Sequence, residues 1–286
     1  MNGQRIAFLG PQGSFSEEAA RFFFAPPQLV PFPSILDCLE AVWEGTMAGA
    51  VVPIENSIEG SVNMTLDWLA EHPGLSINAE LTMPIQQQIM GTRPWDAARV
   101  EKIFSHQQAV AQCREFIRRN FPAAELIYMS STSEAARHVS LHPDEPWLAI
   151  GTRLAAQLYG LTVLHEAAQD YPDNRTSFVV VARDAGLLTE SPAVHRQESP
   201  VKTSLVVFLP EDYPGALYQV LAAFAWRKLN LTRLISRPTK KKLGTYHFFI
   251  DVEQEADNVL MQGVISEMQA LGCGVVVLGS YPCFKK

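Results

Sequence analysis

Thr176 stands where a run of turn formers, Asp170-Tyr-Pro-Asp-Asn-Arg175, gives way to Ser-Phe-Val-Val-Val-Ala182. The second run is β-branched and apolar and reads as a buried strand. A hydroxyl at such a junction can face a cleft while the rest of its strand is buried. Taken alone, it is an ordinary strand-edge threonine. Five other stretches keep it company: Gly10-Pro-Gln-Gly-Ser-Phe-Ser16, Pro53-Ile-Glu-Asn-Ser-Ile-Glu-Gly-Ser-Val62, Ser105-His-Gln-Gln-Ala109, Ser130-Ser-Thr-Ser-Glu-Ala-Ala136 and Gly151-Thr152. Each follows an apolar run and leads into a helical pattern. Ser14 with Glu17, and Ser131 with Glu134, have capping-box spacing, and Ser61 is the cap expected for its helix. Free N–H groups at helix starts suit an anion. Each terminus contributes only about 0.3–1 kcal/mol near the surface. Several converging on one cleft could hold a small dianion without a cluster of Arg or Lys.

Glu55 and Asn56 follow a very apolar run, Ala48 to Val52, and are polar where burial is expected. A buried glutamate must be paired or protonated, so Glu55 reads as a functional group or an internal cap. His106 opens a helix, where the neutral imidazole is favoured, and by itself reads as a surface residue. No G-x-S-x-G, H-E-x-x-H or dinucleotide fingerprint occurs, and neither a metal nor a cofactor is implied.

These residues need a scaffold, and apolar periodicity supplies one. Residues 4–183 alternate short apolar runs with helical patterns, which predicts α/β layers with largely parallel sheets. The run 106–120 is read as a single amphipathic helix, with Val110, Cys113, Ile117 and Phe121 at helical spacing. The number of units exceeds one sheet. Two lobes are therefore expected, with the chain crossing at Leu81 to Gln88 and returning at Glu166 to Asn174, and ligands bind such clefts. Residues 187–200 carry two prolines and little periodicity and read as a linker. Beyond it, 201–286 follow the order βαββαβ with a last strand at 273–280, the ferredoxin-like split arrangement.

Composition narrows the class. Hydrophobic residues make up 47% of the 286 residues and charged residues 19%, a globular balance. A net charge of −7 argues against nucleic acid. The basic run Lys240-Lys241-Lys242 reads as a solvated hairpin tip. The four cysteines are scattered, without metal-ligand spacing, which fits a reducing cytoplasm. A strand from Arg5 leaves no room for a secretory leader, and no apolar run reaches membrane-spanning length.

The stretches quoted above, with Gln112-Cys113 and Asn174-x-Thr-x-Phe178, resemble the motif series of the prephenate dehydratase family. Gly215-Ala-Leu217 and Ser236-Arg-Pro238 resemble the two motifs of its phenylalanine-binding ACT domain. The resemblance implies a bilobed α/β catalytic domain, periplasmic-binding-protein-like, over 1–186, the linker, and an α+β ferredoxin-like ACT domain over 201–286. It implies conversion of prephenate to phenylpyruvate, carbon dioxide and water, without metal or cofactor, in the cytoplasm and under feedback by phenylalanine. Thr176 is then the proton donor, with Glu55, Asn56, Ser105 and Gln108 positioning and polarising. Ser14, Ser131, Thr132 and Phe178 bind substrate. Gly215, Ala216, Leu217, Ser236, Arg237 and Pro238 bind the effector. A homodimer or homotetramer is implied, with no nucleic-acid or membrane partner. Two departures stand out. The family's T-R-F reads Thr176-Ser177-Phe178, and its E-S-R-P reads Ile235-Ser236-Arg237-Pro238. Strand alternation points residue 177 away from Thr176. Two alternatives remain, an arogenate dehydratase and a non-catalytic amino-acid sensor.

Overall fold

A computed structural model describes residues 4–188, 199–211, 213–239 and 245–286. Most of the linker, the basic run 240–242 and Asp212 lie outside the described residues. The chain opens with β1 (Ile6–Leu9), α1 (Phe15–Phe23), β2 (Leu29–Phe32), α2 (Ile35–Trp43), β3 (Gly49–Asn56), the two-residue β4 (Gly60–Ser61), α3 (Asn63–Glu71) and β5 (Ser76–Pro84). It crosses to a second lobe of β6 (Gln88–Gly91), β7 (Lys102–Ser105), α4 (Gln107–Gln112), α5 (Arg114–Asn120), β8 (Glu125–Tyr128), α6 (Thr132–Ser140), β9 (Trp147–Gly151), α7 (Arg153–Leu158) and β10 (Thr162–His165). It returns to the first lobe as β11 (Arg175–Ala182). The C-terminal part holds β12 (Val201–Phe208), α8 (Ala216–Ala225), β13 (Leu231–Pro238), β14 (Tyr246–Val252), α9 (Val259–Ala270) and β15 (Gly274–Lys285).

The second lobe is built on a sheet of order β10-β6-β9-β7-β8. Neither lobe is as parallel as its alternating pattern predicts. In the first, β1, β2 and β3 are parallel, but the returning β11 lies antiparallel between β3 and β5. In the second, β7 is parallel to β8 and β9, but β6 runs against β9 and β10. Strands on either side of a crossing enter and leave the same lobe and so run in opposite directions. The helix expected over 106–120 breaks at Cys113. There the returning chain intervenes: Asp170 accepts the Glu115 and Phe116 N–H groups at 2.9 and 3.1 Å, and its own N–H donates to the Gln112 carbonyl at 2.7 Å.

The C-terminal sheet has the ferredoxin-like order β13-β14-β12-β15 and encloses its own core with α8 and α9. It does not stand apart. β15 runs five residues beyond its predicted end at 280, and Cys283, Phe284 and Lys285 pair in parallel with Glu80, Leu81 and Thr82 of β5. One continuous sheet therefore crosses from the C-terminal part into the first lobe. The approach is close enough that a Cβ at Gly279 (φ +153°) would collide with the Ile77 carbonyl. The helix-free face contributes Val206, Phe249, Leu278 and Tyr281 to a core shared with Ile54, Leu66, Leu69 and Ile77. Ile235 packs on the edge of that core. Among the described residues no helix is long and apolar enough to cross a membrane.

Ion pairs line the same junction. Lys202 meets Glu80 at 2.9 Å, Arg233 meets Glu55 at 2.7 Å, and Arg237 holds Asp67 through two bonds of 2.9 and 2.8 Å. Between them Asp251 is nearly enclosed, 3.4 Å from Arg233 and 3.6 Å from Lys202, with Ser204 donating to it. Burial pushes the Asp251 carboxyl above the usual range, against the pull of the two cations. For Lys202 burial works to lower the pKa, but Glu80 and Asp251 outweigh it and the net shift is upward.

Phe284 is the apolar anchor of this junction, 2% exposed and packed on Phe22 and Phe23 of α1. Phe284→Ala is expected to cost about 3–5 kcal/mol, the range for truncating a buried phenylalanine. Urea denaturation followed by tryptophan fluorescence reads the shift.

Candidate active site

A cavity of about 1210 Å³ lies between the lobes, under the loops that follow the strands. Its first-lobe wall is built by Gly10 to Gln12, Ser14, Asn56, Glu59 to Val62, Thr176 and Phe178. The second-lobe wall brings His106, Gln108, Gln112, Ser130 to Thr132, Glu134 and Arg137. Four of the five hydroxyl-rich turns thus converge on one space.

A β-bulge sets the orientation of the floor. Thr176 pairs with Asn56 and Ser177 with Glu55, but the register then jumps and Phe178 pairs with Pro53. The extra residue on β3 lets Pro53 and Asn56, three apart, face the same cavity. Asn56 Oδ1 accepts the backbone N–H groups of Ile58 and Glu59 at 2.9 and 3.0 Å. Only the carbonyl end of an amide can do this, so the flip is fixed and Nδ2 faces the other way. Nδ2 shares its two hydrogens among Thr176 Oγ1 at 2.8 Å, Asn174 Oδ1 at 2.9 Å and the Arg175 carbonyl at 3.1 Å. The Thr176 oxygen is thereby an acceptor, and its own proton is left to point elsewhere. The side chain is 8% exposed, on the cavity wall.

Of the other residues singled out from sequence, Ser14, Gln108, Ser131, Thr132 and Phe178 line the cavity. Ser14 and Ser131 cap α1 and α6, accepting the N–H groups of Glu17 and Glu134 at 3.2 and 3.0 Å. Glu55 does not line it. It projects from the opposite face of β3 to Arg233, because strand alternation turns it away from its neighbour Asn56. Ser105 is fully buried and donates to the Ile150 carbonyl at 2.9 Å, a bond inside the second-lobe sheet. Ser61 caps nothing: it pairs with Glu55 in β4, and α3 starts after Val62. Ser177 faces away from the cavity as expected, against Thr82 at 2.8 Å. In the C-terminal sheet, Gly215 adopts φ +93° at the start of α8, and the Arg237 guanidinium is engaged by Asp67 rather than open to a ligand.

Sequence reasoning missed several members. Asn174, 1% exposed, accepts from Asn56, and only its place in a turn marks it in the sequence. Gln87 and Gln112 line the wall and bond each other at 3.2 Å. Arg137 is the one arginine or lysine among the described lining residues. The spacing of Glu134 and Arg137, three apart, was the available signal for a common face on α6.

The lobes touch at Gly13. Thr152 caps α7 and donates to the Gly13 carbonyl at 2.5 Å across the cleft. The Gly13 N–H donates to Glu17 at 2.6 Å, and Arg21 holds that carboxylate from behind. Gly13 has φ +84°, and a Cβ there would sit 3.1 Å from Ala155 Cα. Only glycine suits both the left-handed conformation and the closeness.

Comparison with known proteins places these features in a family. Residues 6–186 match the model described as prephenate dehydratase, and residues 203–265 the model of the ACT domain. Prephenate dehydratase of Bacillus subtilis is 40% identical over 285 residues, covering 98% of this chain and 99% of that one. The crystal structure of prephenate dehydratase from Arthrobacter aurescens, in complex with L-Phe, is 35% identical with a TM-score of 0.83, covering 97% of this chain and 89% of that one. The structure of GqqA, described as a novel type of quorum quenching acylase, is 27% identical with a TM-score of 0.82, and 98% of each chain is covered.

Gly13→Ala is expected to part the lobes. Hydrogen exchange is then faster at residues 10–14 and 152–156 than in the parent chain, while the β7–β9 core amides are unchanged.

Proposed function

The chain belongs to the prephenate dehydratase family, and on that premise we propose that the cleft carries out the family reaction with Thr176 as proton donor. The substrate, prephenate, holds a ring carboxylate, a ring hydroxyl and a pyruvyl side chain. Breaking the C–CO₂ bond sends its electron pair into the ring as the C–OH bond on the far carbon breaks. Carbon dioxide and phenylpyruvate leave, and the departing hydroxide takes a proton to become water. Aromatisation supplies the driving force, so the protein has to hold the dianion in register and supply that proton. Thr176 is too weak an acid to ionise first. It donates as the leaving oxygen turns basic and regains its proton from solvent. The observation that carries this reading is the Asn56–Thr176 bond, in which Oγ1 accepts and its own proton is not spent on Asn56.

In the same reading Ser14, whose hydroxyl is committed to the Leu9 carbonyl at 2.9 Å, serves carboxylate by holding open the N-terminus of α1, Ser131 and Thr132 hold carboxylate at the other wall loop, Gln108 polarises, and Phe178 packs beside the ring. Asn56 orients the donor. The catalytic domain spans 1–186 and the ACT domain 201–286, joined by 187–200. L-Phenylalanine acts on the ACT domain through Gly215 to Leu217 and Ser236 to Pro238, in keeping with the L-Phe complex of the Arthrobacter relative. Arg237 serves there by shaping the loop while Asp67 holds it. Pairing into a homodimer or homotetramer is supported by β13, an end strand of the sheet. Four cysteines without disulfides fit the cytoplasm.

The test follows product from prephenate over time. Phenylpyruvate is expected, and Thr176→Val is expected to lower kcat by about 10²–10⁴-fold with little change in KM, the usual worth of general acid help. An unchanged rate would remove Thr176 from the mechanism. Preference for arogenate in competition would reassign the substrate, and no turnover of either by folded protein would favour a sensor.

A further inference from the structure

The three carboxylates that the first lobe offers to the C-terminal sheet are not scattered. Two of them stand at the ends of cavity-lining segments. Glu55 directly precedes Asn56, and Asp67 lies on α3, which follows the lining residues Glu59 to Val62. Both are held from one strand, β13, by Arg233 and Arg237. Arg233 is 8% exposed and forks between Glu55, at 2.7 Å, and Asp251, at 3.4 Å, so the guanidinium has one fixed place. Glu55 is anchored on its own side too, paired with Ser61 in β4 and with Ser177 in β11.

We propose that Arg233 is a positioning residue for Thr176: by fixing Glu55 on the outer face of the β3 bulge, it sets the direction in which Asn56 meets the threonine hydroxyl. The inference rests on the dehydratase reading of the cleft. A bulge is the weakest point of a strand pair, because the extra residue has no ladder partner. Beside this bulge the Asn56 amide serves two backbone N–H groups with its oxygen and the Thr176 hydroxyl, Asn174 and the Arg175 carbonyl with its nitrogen. A strand free to roll there would keep the two N–H groups and leave the nitrogen to Asn174 and the Arg175 carbonyl, losing the hydroxyl. Arg233 prevents that roll from outside the cavity, without touching substrate. The C-terminal sheet thereby takes part in the geometry of the reacting group, and anything that moves β13 moves Thr176.

Arg233→Met leaves Asp251 buried with one cation fewer and is prone to misfold. Glu55→Gln keeps the Arg233–Asp251 pair and carries the test. The expected result for Glu55→Gln is faster hydrogen exchange at residues 56–59 and 175–177, read without substrate. With it goes a fall in kcat of about 10-fold at near-constant KM, as for a reacting group held slightly out of line. Arg233→Lys, which keeps the charge, is expected to retain most of the turnover. Parental exchange at those amides overturns the proposal, and a slow enzyme with parental exchange places Glu55 at the substrate instead. Faster exchange with parental kcat overturns it equally. A parent protein that makes no phenylpyruvate sinks the dehydratase reading, while the exchange arm still decides whether Arg233 and Glu55 clamp the bulge.

Discussion

Everything at the cleft depends on one half-buried amide that can point only one way. Two backbone N–H groups claim the oxygen of Asn56, so its nitrogen must face Thr176. Had the loop after β3 offered a carbonyl instead, the amide could flip, and the threonine proton would be spent within the protein. A neutral hydrogen bond is worth only about 0.5–1.5 kcal/mol net, but an unsatisfied buried partner costs more, and that asymmetry fixes the geometry. The chemistry asks for no more than this. A substrate that becomes aromatic when it loses carbon dioxide and water needs orientation and one proton, and neutral groups can supply the proton.

The same economy explains the assembly. The first lobe's sheet is extended by the C-terminal strand, the core on its outer face is completed by Val206, Phe249, Leu278 and Tyr281, and its outward carboxylates are answered by Lys202, Arg233 and Arg237. If the C-terminal sheet moved away, the apolar face it covers would meet water and those carboxylates would lose their partners. The two parts therefore share one energetic fate, although they match separate family models. A domain held this way can pass a change in its own sheet to the cleft through β3, β5 and α3. The second lobe is tied to the first at Gly13 and through the crossing strands.

Most of the elements were legible in the sequence because apolar periodicity is a local signal. The strand at 175–182, the helix after Ser131 and the ferredoxin-like order all fall where the pattern puts them. What was not legible depended on distant contacts. Nothing within 106–120 announces a break at Cys113, because the cause is Asp170, more than fifty residues later. The last three residues of β15 look like an exposed tail until β5 lies beside them. Glu55 and Asn56 are adjacent polar residues with equal claims on the cleft. Only the bulge, a feature of the pairing with β11, decides that Asn56 enters and Glu55 leaves. Ser105 shows the converse: a hydroxyl at the mouth of a loop, spent on a carbonyl of the next strand.

The central claim is that the Thr176 hydroxyl, turned by Asn56, meets the oxygen that departs. A crystal structure with prephenate or a stable analogue in the cleft tests it most directly. The account predicts the ring hydroxyl within hydrogen-bond reach of Thr176 Oγ1, about 2.6–3.2 Å, with the Asn56 bond retained. A ring hydroxyl turned toward the second lobe, with a carboxylate lying against Thr176, would contradict it.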